Sequence, residues 1–442
     1  MAIIPQRQLF GWQEIEDLGE LERLRLVLDH LPDEDLVAAL EQDRGRGRDD
    51  YPVRAVWNSV LAGIVYQHPS IESLRRELLR NAQLRQLCGF DVFLGAGATP
   101  PAWVYTRFLR KLLGRLDQLE AMFRRAVAGL QQELPDFGEL LAVDGKAVRS
   151  HARGRKLDGK RPRRPDGRRD TDADWGVKTY HGRREDGTPW RRLVRWFGYC
   201  LHLVVDARYE LPVEYMVTRA SASEVKVTHQ LVDRMAAQRP ELLGRCECLL
   251  GDKAYDDGKL LDKLWTGHGI KPVIDIRDCW QDGETTRLVK GRSNVAYDYK
   301  GEVYCYCPQS GERREMAFGG FERQRQALKY RCPARHYGLV CRGREECRVG
   351  SGIRIPLAED GRVFVPVARS SYSWKRLYAR RTAVERVNSR LDRCFGLEEH
   401  FVRGLGKMKL KCTLALTVML AMALGRIREK RGKHLRSLVK AA

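Results

Sequence analysis

In the stretch Glu139-Leu-Leu-Ala-Val-Asp-Gly-Lys-Ala-Val-Arg-Ser150, Leu140 to Val143 form a brief apolar run with no helical period and the length of a buried strand. The run ends in Asp144 and Gly145, so a carboxylate falls at a strand end with the backbone free to turn. A plain Asp-Gly turn would account for this run alone. The pattern recurs in Cys248-Leu-Leu-Gly-Asp-Lys-Ala-Tyr-Asp256, where a second short apolar run ends in Asp252. A third carboxylate, Glu385, falls in a basic helical segment. Two strand-end aspartates and a helical glutamate can converge on a pair of divalent cations.

Before these runs, residues 11 to about 130 read as helical. Leu18, Leu21, Leu24, Leu28 and Leu31 recur at three- and four-residue steps as one apolar stripe. Arg44 to Asp50 is a charged breaker, and Pro52 opens a second helix. Ser70 is placed to cap a third helix, and Thr99-Pro100 a fourth. Short helices with arginine faces suit a helix-turn-helix-like DNA reader, and equally a plain solvated bundle.

After Asp144 comes Arg153 to Arg169, with nine Arg or Lys, two prolines and three glycines, which reads as a flexible basic loop within 151–192. Strands are expected at Tyr199–Asp206, Leu211–Thr218 and Lys271–Ile276, with a turn at Ala207–Glu210 and helices at Glu224–Met235 and Leu260–Trp265. That order describes a mixed α/β sheet with helices against it. Residues 278 to about 368 interrupt it with Cys279, Cys305, Cys307, Cys332, Cys341 and Cys347, a small cysteine-rich insertion. The spacings are irregular, and reduced structural cysteines stand beside a Zn²⁺ site, with Cys307, Cys332, Cys341 and Cys347 as the possible set. Tyr378 to Phe395 reads as one helix, with Val384, Val387 and Leu391 inward and Arg381, Glu385 and Asn388 on another face.

The chain has 442 residues, enough for two or three domains, and 43% hydrophobic residues, enough to fold. Its formal net charge is +22. That excess points to a polyanionic partner, nucleic acid before an anionic membrane. Met1 to Phe10 shows no signal-peptide core, and the longest uncharged apolar run, Cys412 to Leu424, is shorter than the ~20 residues a membrane span needs. A cytoplasmic protein with reduced thiols, associated with the nucleoid and without a membrane role, is the expectation.

Phosphodiester cleavage without a covalent intermediate needs an activated water or hydroxyl and a stabilised leaving oxygen, which two Mg²⁺ (or Mn²⁺) ions supply. Carboxylates plus substrate phosphate suffice to bind such hard cations. Asp144, Asp252 and Glu385 are therefore both the candidate catalytic residues and the candidate metal ligands.

At these residues the sequence resembles the DDE transposases of bacterial insertion sequences. Asp144 in Leu-Ala-Val-Asp-Gly-Lys, Asp252 in Gly-Asp-Lys-Ala-Tyr-Asp and Tyr378-x-x-Arg381-x-x-x-Glu385 are similar to the three motifs of that family, and the resemblance extends over most of the chain. It implies a ribonuclease-H-like mixed sheet with flanking helices, preceded by an all-α N-terminal domain. The expected parts are 1–130, helical and DNA-binding; 138–277, the first part of the catalytic domain; 278–368, the insertion; 369–428, the rest of the catalytic domain; and 429–442, a basic tail. It also implies double-stranded DNA as partner, element ends and target, held by a homodimer or higher oligomer. Cleavage at each end would expose a 3′ hydroxyl that attacks target DNA. Tyr378, Arg381, Lys146, Arg153, Arg155, Lys156, Arg163 and Arg164 are the candidate DNA contacts. The family often carries Lys or Arg seven residues after the glutamate, where this chain has Asp392. A catalytically silent, transposase-derived DNA-binding protein or repressor is the alternative. A related nuclease without strand transfer shares the site, and a ribosome-associated basic protein explains only the charge.

Overall fold

The computed structural model describes residues 18–45, 49–154, 170–432 and 435. Part of the Arg44–Asp50 breaker, most of the basic loop with Arg155, Lys156, Arg163 and Arg164, and most of the C-terminal tail lie outside the described residues.

The chain opens with helices α1 (Glu22–His30), α2 (Glu34–Arg44), α3 (Val53–Val65), α4 (Ile71–Arg80), α5 (Ala82–Cys88), α6 (Ala102–Leu113) and α7 (Leu116–Glu133). Leu21, Leu24 and Leu31 of the apolar stripe are buried. Ser70 caps α4 as expected, accepting the Ser73 N–H at 3.2 Å, and Asn81 caps α5 by accepting the Leu84 N–H at 2.9 Å. The Thr99-Pro100 cap is not used: α6 begins at Ala102. Pro100 and Pro101 each hold the residue before them extended, which delays the helix by two positions.

The main sheet comprises β1 (Leu140–Arg149), β2 (Asp174–Arg183), β3 (Pro189–Asp206), β4 (Leu211–Arg219), β5 (Cys248–Gly251) and β6 (Lys271–Ile274). Helices α8 (Glu224–Gln238), α9 (Pro240–Arg245) and α10 (Gly258–Asp262) connect its second half. Strand order is β2-β3-β1-β5-β6, with β4 also on β3. β3 is antiparallel to β1 and β4, while β1, β5 and β6 are mutually parallel.

Two expectations change here. Gly145 does not end a strand, because β1 continues to Arg149 in register with β3. The expected loop at 151–192 contains β2 and the first four residues of β3; β2 pairs with the outer half of β3 from Asp174↔Gly198 to Arg183↔Pro189 as a ribbon beyond the sheet body. Its strands carry Arg191, Arg192 and Arg195 exposed to solvent, so they lack the apolar alternation by which a half-buried strand is recognised.

The insertion is built of short strands β7 (Arg287–Leu288), β8 (Val295–Tyr297), β9 (Val303–Tyr306), β10 (Arg313–Glu315), β11 (Ala317–Glu322), β12 (Ala327–Arg331) and β13 (Gly352–Pro356), with helix α11 (Pro333–Tyr337). They form two small sheets around their own buried cluster, including Val295, Val303, Leu328, Tyr330, Ile355 and Phe364. An ion pair ties the insertion to the turn after β5: half-buried Arg362 grips the buried Asp256, four residues after Asp252, at 2.6 Å. Arg369, which is buried, donates to the Ile274 carbonyl at 3.1 Å.

The chain ends in α12 (Tyr372–Ala379), α13 (Ala383–Phe395) and α14 (Leu405–Arg428). The single helix expected over Tyr378–Phe395 is thus two, joined by a 3₁₀ turn at Arg380–Thr382 where the Thr382 hydroxyl donates back to the Ala379 carbonyl at 3.0 Å. α14 extends the apolar Cys412–Leu424 run at both ends. By length and composition it is long enough to cross a membrane, but 89% of its apolar stretch is buried in the protein. It packs on α7, α1, α3 and β4, so helices from both ends of the chain share one core with the sheet.

Candidate active site

The register between β1 and β5 sets the site. Leu140 pairs with Cys248 and Ala142 with Leu250, an offset of 108 that also relates Asp144 to Asp252. The ladder stops at Ala142↔Leu250, and β5 itself ends at Gly251. Beyond that point the neighbouring strands separate, as at the carboxyl ends of parallel strands generally. Both aspartates line the cleft that opens there, of about 1030 Å³, together with Glu385, Arg381, Arg277, Lys178 and Glu224.

Asp144 lies at mid-strand and accepts the Gly145 N–H at 2.8 Å. Burial pushes its carboxyl up to about 6; Asp252 and Glu224 add to the rise, and Lys178 opposes it. Asp252 follows β5 directly and accepts the Ala254 N–H at 2.8 Å, capping a 3₁₀ turn. Glu385 stands in the first turn of α13, half exposed, 2.9 Å from Arg381. Arg381 in turn lies over the Tyr378 ring, and that ring stacks on Trp374 with centroids 4.5 Å apart.

Glu224 and Lys178 are the residues that sequence reasoning missed. Lys178 of β2 donates to the Gly145 carbonyl at 2.7 Å and pairs with Glu224 at 3.0 Å. Burial works against the lysine charge, but Glu224 and Asp144 outweigh it and raise its pKa. Gly145 makes room for this pair: a Cβ there would stand 2.5 Å from the Glu224 carboxylate. The glycine that suggested a turn is instead a close-approach position. Glu224 looks in sequence like an ordinary first-turn acid behind the Ser223 cap, and Lys178 fell within the assumed loop.

Lys146 does not open into the cleft. Its ammonium sits 2.6 Å from Asp392 and 3.1 Å from Glu398, with the side chain only 9% exposed. Arg153 is exposed at the start of the basic stretch. The four cysteines expected as a zinc set, Cys307, Cys332, Cys341 and Cys347, line one small pocket in the insertion, and Cys305 joins them. Among the described residues, no group of three or more His, Cys, Asp or Glu stands ready-made to hold a metal ion.

The model of the family described as Transposase DDE domain matches residues 135–421, which run from the loop before β1 into α14. The chain belongs to that family. Membership makes the protein a transposase of DDE type and carries with it DNA as partner, DNA recombination as process and divalent metal ions as general requirement. Helices α1 to α7 lie before the matched span of this DDE transposase. No curated protein matches the chain.

Proposed function

We propose that this transposase binds the ends of an insertion sequence, cleaves DNA by metal-assisted phosphodiester hydrolysis and joins the freed 3′ hydroxyls to target DNA. The carrying observation is the β1–β5 register, which brings Asp144 and Asp252 to the mouth of a cleft that Glu385 also lines. The order β4-β3-β1-β5-β6, antiparallel at one side and parallel at the other, supports a ribonuclease-H-like core.

Asp144, Asp252 and Glu385 are the residues that would hold two Mg²⁺ or Mn²⁺ ions, with Glu224 as a fourth carboxylate within reach of the same cleft. They fit: all are oxygen donors, and burial raises the Asp144 pKa, with the neighbouring Asp252 and Glu224 carboxylates adding to the rise. When bound, such ions supply Lewis acidity at phosphorus and a nucleophile at neutral pH. The chain's own groups do the rest. Lys178 holds Glu224 beside Asp144. Arg381 presents a planar fork in the cleft wall, matched to phosphate oxygens, and Tyr378 fixes its plane. The β2–β3 ribbon, whose Trp175, Val177 and Thr179 line the cleft, offers Arg191, Arg192 and Arg195 to the duplex, with Arg153 and the basic stretch beyond it. Lys146, tied to Asp392 and Glu398, is left out of the DNA contacts. Two or more protomers pairing the ends complete the reading.

The test is cleavage of linear DNA carrying the element's own ends, with and without Mg²⁺ or Mn²⁺, beside Glu385→Ala. Metal-dependent cutting and joined products that vanish in the variant are expected. Binding of those ends with no cutting under either metal would replace this reading with that of a silent DNA-binding protein.

A further inference from the structure

Five cysteines from three separate segments of the insertion line one pocket. Cys305 lies on β9 and Cys307 just after it, two residues apart and hence on one side of an extended chain. Cys332 precedes α11. Cys341 and Cys347 sit in residues 338–351, which contain neither helix nor strand. Cys305 lies near enough to Cys332, Cys347 and Cys341 for each to add to the rise that burial gives its thiol, and the Cys341 thiol is hydrogen-bonded with Cys307. All five line a pocket of about 20 Å³, room for one water-sized occupant. Cys279 is not among them; it lies exposed, beside Arg362.

Two further observations point to a cation held by thiolates. The 338–351 segment exposes Leu339 and Val340 and contributes Val349 to the insertion's core, so little apolar burial fixes its course. The pocket also gathers Arg314, Arg335 and Arg344, a positive surround suited to the net negative charge of a divalent ion bound by four thiolates. Backbone and amide donors already aim at the sulfurs: Gly343 N–H at Cys307, 3.3 Å, and Asn294 Nδ2 at Cys347, 3.4 Å.

We propose that the insertion carries a structural Zn²⁺ bound by Cys332, Cys341 and Cys347 together with one of Cys305 and Cys307. The thiols line one pocket without having closed on a common centre, so the ion would draw them to the ~2.3 Å of a zinc–sulfur bond and clamp the 338–351 segment to β9 and α11. This site is separate from the carboxylate cleft and does not depend on the proposed DNA chemistry.

The full chain, purified without chelator, is assayed for bound metal by elemental analysis. About one zinc per chain is expected. Cys332→Ser and Cys347→Ser lose it, as does the Cys305→Ser/Cys307→Ser double variant, while Cys279→Ser keeps it. Should the variants fail to fold, Co²⁺ titration of the wild-type chain gives the same answer through thiolate-to-metal absorption and its quenching by Zn²⁺. A chain that contains no zinc and gives no such absorption overturns the proposal, as does zinc retained by Cys332→Ser and Cys347→Ser.

Discussion

The Lys146 ammonium lies 2.6 Å from the Asp392 carboxylate, joining the residue two after Asp144 to the residue seven after Glu385. The acidic residue where the resemblance leads one to expect a base is therefore the ion-pair partner of a lysine that is only 9% exposed, and its presence does not argue for a silent protein. Burial pushes the Asp392 carboxyl up despite Lys146, so the pair is a means of fixing β1 to α13 more than a large source of stability. Asp392→Lys, which restores the family's charge, sets like charges together. It should lower stability by about 1–3 kcal/mol and reduce strand cleavage, while Asp392→Asn costs less on both counts. Denaturant midpoints and cleavage rates of the two variants decide it; a gain of activity in Asp392→Lys would contradict the assignment.

Asp144→Asn should stabilise the metal-free protein. The wild-type carboxyl titrates near 6 in the fold against about 3.9 unfolded, so between those values the folded state binds the extra proton and stability falls as pH rises. Above pH 6 the penalty is complete, on the order of 3 kcal/mol at most. The variant should melt higher than wild type at pH 8 in chelator, with the difference gone below about pH 4. Millimolar Mg²⁺ should raise the wild-type melting temperature and leave Asp144→Asn nearly unmoved.

Glu224→Gln should cut metal affinity or cleavage by about 10- to 100-fold while leaving DNA binding intact, since Glu224 stands beside Asp144 and not on the ribbon's outer face. The Mg²⁺ concentration for half-maximal cleavage is the measurement. An unchanged midpoint would confine Glu224 to a structural role with Lys178.

Removing Arg191, Arg192 and Arg195 together should weaken DNA binding of all sequences alike. Every phosphate left without its arginine reduces the slope of log affinity against log salt by about 0.9, so the triple alanine variant should show a slope shallower by up to about 2.7. A slope equal to wild type would place the duplex elsewhere.

Acid should destabilise the fold through buried histidines. Burial, aided by Lys178, pushes His202 down to about 4, and burial first, then Lys411, does the same to His400. Unfolded histidine titrates near 6.5, so in this window the unfolded chain takes up protons that the fold refuses. Stability then falls as pH drops from about 6.5 towards 4, and His202 alone accounts for up to roughly 3 kcal/mol. His202→Gln, which retains a partner for the Thr218 hydroxyl now 2.9 Å away, should flatten that part of the melting-temperature profile.

The sheet's central strands and the order of the three carboxylates were legible because buried strands read as unbroken apolar runs, as Leu140–Val143 and Cys248–Leu250 do. The ribbon was not, because β2 and the outer part of β3 face water and carry arginines where a half-buried strand alternates. Glu224 was hidden for another reason: its role arises from Gly145 admitting it across the sheet, an approach between residues 79 apart that no local pattern encodes. The break at Arg380–Thr382 was equally silent, since Arg380 and Arg381 are good helix formers and only the Thr382 hydroxyl marks the turn.

Helix α14 closes a core whose other walls, α1, α3 and α7, leave the ribosome hundreds of residues earlier. During synthesis those first helices wait with apolar faces uncovered until residue 428 has been made. A chain cut short before residue 405 therefore lacks the helix that covers these faces, and should melt below the full chain.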